Sequence, residues 1–126
     1  MSTDPNDSRP PVWVGHVSMS TAKLAESREF MQQIGMRPMF NNESVAIFEL
    51  RGGTHLVLVA DADAQPGDAP FDLMVEDVDV THADLASRGL APSPLEHGRI
   101  HKSFTVTEPG GGRITVNSTH VSDLPV

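Results

Sequence analysis

Polar and apolar residues alternate over 12–20, with Val17 and Met19 on one face and His16, Ser18 and Ser20 on the other, the pattern of a half-buried strand. Ser20 or Thr21 then stands where a helix cap belongs. Leu24, Ser27, Met31 and Ile34 recur along one stripe and Gly35 supplies the stop, so the spacing predicts a helix ending at 34. Short strands follow at 36–40 and 44–50, a turn at 51–53, and a strand at 54–59.

The segment 61–70 (DADAQPGDAP) is acidic, small and holds two prolines, and reads as a linker. Beyond it the pattern predicts a strand at 71–75, a helix at 79–88 stopped by Gly89, and strands near 91–94, 100–107 and 113–117, with a turn at 108–112. Both halves therefore read βαβββ.

The second half repeats the first. Ile34-Gly35-Met36-Arg37-Pro38 lies 54 positions before Arg88-Gly89-Leu90-Ala91-Pro92, each at the end of an amphipathic stretch. The organisation is an N-terminal arm (1–11), a first module (12–60), the linker (61–70), a second module (71–117) and a tail (118–126), the two modules forming one domain. The fold class is α+β.

A length of 126 residues suits one compact domain or two small modules sharing a core. No apolar run approaches the roughly 20 residues that span a membrane. The start, MSTDPNDSRPP, lacks the basic-then-apolar order of a secretory signal and reads as a flexible arm. The absence of cysteine excludes disulfides, thiolate ligands and a cysteine nucleophile, and is compatible with the cytoplasm. A net charge of −8 argues against nucleic acid and would attract a cationic small molecule, although many acidic proteins owe their charge to solubility alone.

Three motifs in order resemble the vicinal oxygen chelate superfamily, which includes glyoxalase I, bleomycin-resistance proteins and extradiol dioxygenases. His16-Val17-Ser18-Met19 with Leu24, Ser27, Phe30 and Ile34-Gly35-Met36 is similar to its first strand and helix. Residues 71–79 (FDLMVEDVD) are similar to the opening of its second module. Glu108-Pro109-Gly110-Gly111-Gly112-Arg113-Ile114 is similar to its turn into the last strand, with Glu in place of the leading Asp. The resemblance implies two βαβββ modules forming an open, eight-stranded, barrel-like cavity with helices outside, a small-molecule site in that cavity, and a homodimer.

The resemblance also implies four metal-ligand positions, one on the first and one on the last strand of each module. These fall on His16, Pro70, Val57 and Thr115. A divalent ion needs several converging N or O donors, and only His16 is a good one, so the usual metal site is degenerate.

Strand alternation nevertheless turns a polar set into the cavity: His16, Ser18 and Ser20; His55, Val57 and Val59; Asp72 and Met74; His101, Ser103 and Thr105; Thr115 and Asn117. His16 and His101 are the candidate catalytic residues, with Ser18, His55, Asp72, Met74, Ser103, Thr115 and Asn117 as ligand contacts. His16, His55, Asp72 and His101 could hold a relocated divalent metal (zinc, nickel, manganese or iron), act as a metal-free acid/base set, or hydrogen-bond a polar ligand; the bland alternative is a wet cavity whose groups stand apart. His82 reads as solvated helix surface, His97 as a hairpin-turn residue, Trp13 as buried, and most methionines as core. Gly110-Gly111-Gly112 lacks the Lys-Ser/Thr of a phosphate loop and reads as a turn.

Two functions from different classes follow. One is an enzyme, a lyase, isomerase or dioxygenase with relocated ligands. The other is a metal-free binding protein resembling the bleomycin-resistance members, sequestering a cationic drug, for which Phe40, Phe48, Phe71 and Phe104 are the available aromatic platforms. The preferred reading is a small-molecule site without the usual metal and without a cofactor, with catalysis left open, in a cytoplasmic homodimer that engages neither nucleic acid nor membrane.

Overall fold

The computed structural model describes residues 4–126. In chain order the elements are β1 (His16–Thr21), α1 (Leu24–Gln33), β2 (Arg37–Asn41), β3 (Val45–Glu49), β4 (His55–Ala60), β5 (Gly67–Val75), α2 (Val78–Ser87), β6 (Glu96–His97), β7 (Lys102–Thr107) and β8 (Gly112–Ser118), with a 3-10 turn at Arg51–Gly53. Each half is βαβββ and the class is α+β.

Each module makes its own four-stranded sheet, in the order β1-β4-β3-β2 and β5-β8-β7-β6. The first and last strand of each module run parallel, and the remaining pairs are antiparallel. The two sheets lie alongside one another at β1 and β5 and stay open; they do not close into a barrel.

The internal repeat is visible in the register. Ser18 pairs with Val57 in the first sheet, and Asp72 pairs with Thr115 in the second. Asp72 is the repeat equivalent of Ser18, and Thr115 that of Val57, so both spacings read from the sequence meet at one rung. A bulge between Asp68 and Asp72 interrupts the second ladder and accommodates Pro70, which an edge strand such as β5 tolerates.

α1 covers β3 and β4, and α2 covers β7 and β8. Ser27, Phe30 and Met31 form the buried face of α1 at i, i+3 and i+4 spacing. They join Met19, Met36, Ala46, Phe48, Leu56 and Leu58, and the core continues through Val78, Leu85, Phe104, Val106, Ile114 and Val116. Both helices stop at a glycine with positive φ, Gly35 at 115° and Gly89 at 77°. The Asp77 carboxylate accepts the Val80 amide at the start of α2.

Several boundaries differ from the sequence expectation. β1 begins at His16, not 12, and Val12, Trp13 and Val14 are exposed, so the burial expected for Trp13 is wrong. Thr21 does not cap α1 from the N-cap position; its hydroxyl accepts the Lys23 amide. β5 starts at Gly67, inside the expected linker, because β8 offers it a partner from Gly112 onward. The strand expected near 91–94 is absent, and the short β6 at Glu96–His97 pairs with β7 instead, which takes His97 out of the turn. Of the arm, residues 1–3 lie outside the described residues; 4–11 contain no helix or strand.

The modules are joined by a buried polar chain. Glu108, 2 % exposed, accepts the amides of Gly110 and Gly112 at 2.8 and 2.7 Å and the hydroxyl of Ser27 on α1. With the Ser27 proton committed to the carboxylate, the 2.7 Å contact between Ser27 and Thr21 is donated by Thr21. Every member is satisfied, as a buried carboxylate requires.

Candidate functional site

In β1, β3, β4, β7 and β8 the residues facing the helices are the buried ones, and in β5 the half-buried ones, while their neighbours form an open face on the opposite side of the sheet. In the first module the open face carries His16 and Ser18 on β1, His55 and Val57 on β4, Ile47 and Glu49 on β3, and Arg37 on β2. In the second it carries Asp72 and Met74 on β5, Thr115 and Asn117 on β8, and Ser103 and Thr105 on β7. Met74 is 46 % exposed.

One rung of the first sheet is polar across all four strands. His16 pairs with His55, His55 with Glu49, and Glu49 with Arg37. The two imidazole centroids are 6.0 Å apart with planes tilted by 59°. His55 Nε2 lies 3.3 Å from Glu49 Oε2, and Arg37 is bonded to the other oxygen of that carboxylate. The Arg37 guanidinium, and then the His55 hydrogen bond, hold the Glu49 carboxyl below its ordinary value, so it is ionised at neutral pH. An ionised carboxylate only accepts, so His55 donates from Nε2–H, and in the neutral ring that leaves the lone pair on Nδ1.

On the adjoining rung Ile47 pairs with Val57, and Val57 with Ser18. A cleft of about 470 Å³ opens beside β1 and β5, lined by Ser18, Ser20, Val59, Gln65, Asp68 and Pro70 among others. Across the second sheet Asn117 Nδ2 donates to Asp72 Oδ2 at 2.8 Å, and Arg113 pairs with Asp68 at 2.9 Å.

The sequence-derived candidates separate into three places. His16, Ser18 and His55 stand together on the first sheet. Asp72, Met74, Ser103, Thr115 and Asn117 stand on the second. His101 sits just before β7, where Nδ1 bonds the Ser118 carbonyl at 2.7 Å and the ring lies 4.9 Å from that of His120. His82 is not solvated surface: it is half-buried, bonded to the Ser93 carbonyl at 2.8 Å and edge-on to Phe104 at 5.1 Å. Phe48 and Phe104 are buried in the core and cannot serve as platforms, Phe71 packs against that core from the helix side, and Phe40 is exposed.

Glu49 and Arg37 went unnoticed in the sequence. The signal was present: over 45–49, Val45, Ile47 and Glu49 alternate with Ala46 and Phe48, which puts Glu49 on the same face as His55 once the hairpin register is known.

No family model matches the chain, and no curated protein matches it. Solved structures do. Lactoylglutathione lyase from Agrobacterium tumefaciens superposes with a TM-score of 0.73 at 15% identity, over 87% of this chain and 96% of that one. TnmS3, an antibiotic binding protein from Streptomyces sp. CB03234, gives 0.74 at 21% identity, over 86% and 97%. A bleomycin resistance determinant encoded on the transposon Tn5 gives 0.70 at 14% identity, over 87% and 100%.

The chain has the vicinal oxygen chelate fold.

The four positions at which the sequence resemblance implies metal ligands hold His16, Pro70, Val57 and Thr115. Two of these have no side-chain donor and the third has only a hydroxyl, so the residues present do not fit the ion. The relocated set fares no better. Among the described residues no group of three or more His, Asp or Glu is placed to hold a metal, because His55 is turned to Glu49, Asp72 to Asn117 and His101 to Ser118. The chain keeps the two-module βαβββ frame of that fold. Among the described residues no helix is long and apolar enough to cross a membrane.

Proposed function

We propose that this chain is a small-molecule-binding protein that holds its ligand against the open faces of both sheets without a metal ion. The observation that carries the reading is the side taken by the polar residues. His16, Ser18, His55, Asp72, Ser103, Thr115 and Asn117 all stand on the helix-free side of their sheets, with Met74 and Val57 between them. Convergent polar groups set among apolar side chains supply the orienting contacts that small-molecule sites use. The fold's occurrence in an antibiotic binding protein and in a bleomycin resistance determinant supports binding as the role.

A cationic ligand is the second reading, favoured by the net charge of −8 and by Asp72 on the open face, whose carboxylate accepts from Asn117 alone among the described residues. With Phe48 and Phe104 in the core, grip on a planar drug falls to Phe40 and Met74. The same reading includes a homodimer in the cytoplasm, in which a second copy covers exposed apolar side chains such as Met39 and Val59.

The test is thermal-shift screening of cationic and aromatic compounds on protein whose metal content has been measured. Stabilisation by a compound, unchanged by chelator and lost in Asp72→Ala or His55→Ala, supports the reading. Stabilisation that requires zinc, nickel, manganese or iron contradicts it. Sedimentation of the same sample checks the dimer.

A further inference from the structure

The polar rung of the first sheet is built like a base, and this sets it apart from a merely wet surface. Arg37 holds Glu49, Glu49 accepts from Nε2 of His55, and the ring of His55 stands on the open face beside His16, with no hydrogen-bond partner to Nδ1 among the described residues. A carboxylate behind an imidazole fixes the tautomer and stabilises the imidazolium that forms when the ring takes a proton. We propose that His55 is a proton-transfer group, positioned by Glu49 and Arg37, acting on a weak carbon or oxygen acid with an apolar body that rests on Ile47 and Val57. The inference rests on the open face being a small-molecule site.

The step balances without a co-reactant. His55 Nδ1 takes the substrate proton, the electron pair of the broken C–H or O–H bond stays on the substrate, and the imidazolium formed is paired with the Glu49 carboxylate. His16, whose ring faces His55 across β1 and β4, is placed to return a proton to another substrate atom. The ionisable groups of this rung are His16 on β1, Glu49 on β3 and Arg37 on β2. Imidazole suits the work because its ordinary pKa of about 6.5 lies close to neutral pH.

The first measurement needs no ligand. Long-range nitrogen–proton NMR on the full chain reports which ring nitrogen of neutral His55 carries the proton; Nε2–H is expected, and Glu49→Ala should weaken that preference. The second uses 5-nitrobenzisoxazole, an apolar carbon acid whose C3 proton is lost to a base as its N–O bond breaks to give a nitrile and a coloured phenolate. His55→Ala and His55→Gln should slow this by about a hundredfold. Glu49→Ala should slow it less, and His97→Ala on β6 should leave it unchanged. Equal turnover in wild type and both His55 variants would overturn the proposal, as would Nδ1–H in wild-type His55. If compounds still perturb open-face resonances in that case, the binding reading survives and only the proton transfer fails.

Discussion

Ser27 in the first module donates its hydroxyl to the carboxylate of Glu108, 81 positions later in the second. The same carboxylate closes its own turn through Gly110 and Gly112, and Thr21 donates to Ser27 from the end of β1. One buried acid thus fixes the β7–β8 turn and ties it to the helix of the other repeat. It also holds the sheets in their alignment along β1 and β5, where the cleft lies.

Glu108→Ala strands two amides and a hydroxyl in the interior. It should cost about 3 kcal/mol in urea unfolding, and Ser27→Ala about 1 to 2 kcal/mol. Glu108→Gln should not restore full stability, because its amide offers one acceptor oxygen and sets an N–H₂ group against a donor. Wild-type stability in Glu108→Ala would show that the chain of hydrogen bonds carries no weight.

Gly110 and Gly112 both lie where a side chain would crowd its neighbours. A Cβ on Gly110 would meet Glu108 Oε1 at 2.8 Å as well as the Thr21 hydroxyl, and one on Gly112 would meet Met19 Cε at 2.5 Å. Gly110→Ala should lower stability by about 2 kcal/mol, by overpacking and by disturbing the carboxylate. Gly15→Ala, where a Cβ finds nothing within 4 Å, is the matched control in a thermal melt.

Glu49 titrates low because Arg37, and after it His55, favour its ionised form. A carboxyl depressed in the fold contributes stability above its unfolded value, and that contribution is lost as pH falls through the folded value. The window is therefore acidic, below the ordinary glutamate value of about 4.3. Following the Glu49 carboxyl carbon by NMR, Arg37→Ala should raise the midpoint, with little change in stability at neutral pH because the Arg37 side chain is largely exposed.

Zinc, nickel, manganese and iron should not bind at one ion per chain in the wild type, and His16→Ala should change nothing in a metal titration. Placing Glu at 57 and 115 and His at 70 restores the missing donors. The triple substitution Val57→Glu, Pro70→His, Thr115→Glu should then gain zinc uptake that depends on His16. Stoichiometric uptake by the wild type through His16 would contradict the donor argument.

Much of this was legible in the sequence. The spacing of Gly35 and Gly89 marked the two modules, and strand alternation put His16, His55, Asp72 and Thr115 on the open face. Partners across strands were not legible, because alternation fixes a face but not a register. Hence Glu49 and Arg37 were missed, and His16, His55, Asp72 and His101 looked like one set when hydrogen bonds divide them among three places. Glu108 looked like a turn residue, since its bond to Ser27 spans the two modules and no local pattern reports it. Pro70 in a run of small acidic residues looked like linker, and only its edge position and bulge let it sit in β5.

The central claim is that a small molecule binds on the open face without a metal. The most direct measurement is amide and imidazole NMR of the labelled, chelator-treated chain titrated with a library of small aromatic, cationic and weakly acidic compounds. The account predicts shifts concentrated at His16, Ser18, His55, Asp72, Thr115 and Asn117, unchanged by added zinc. Shifts confined to the helix side, or appearing only once a divalent ion is present, would contradict it.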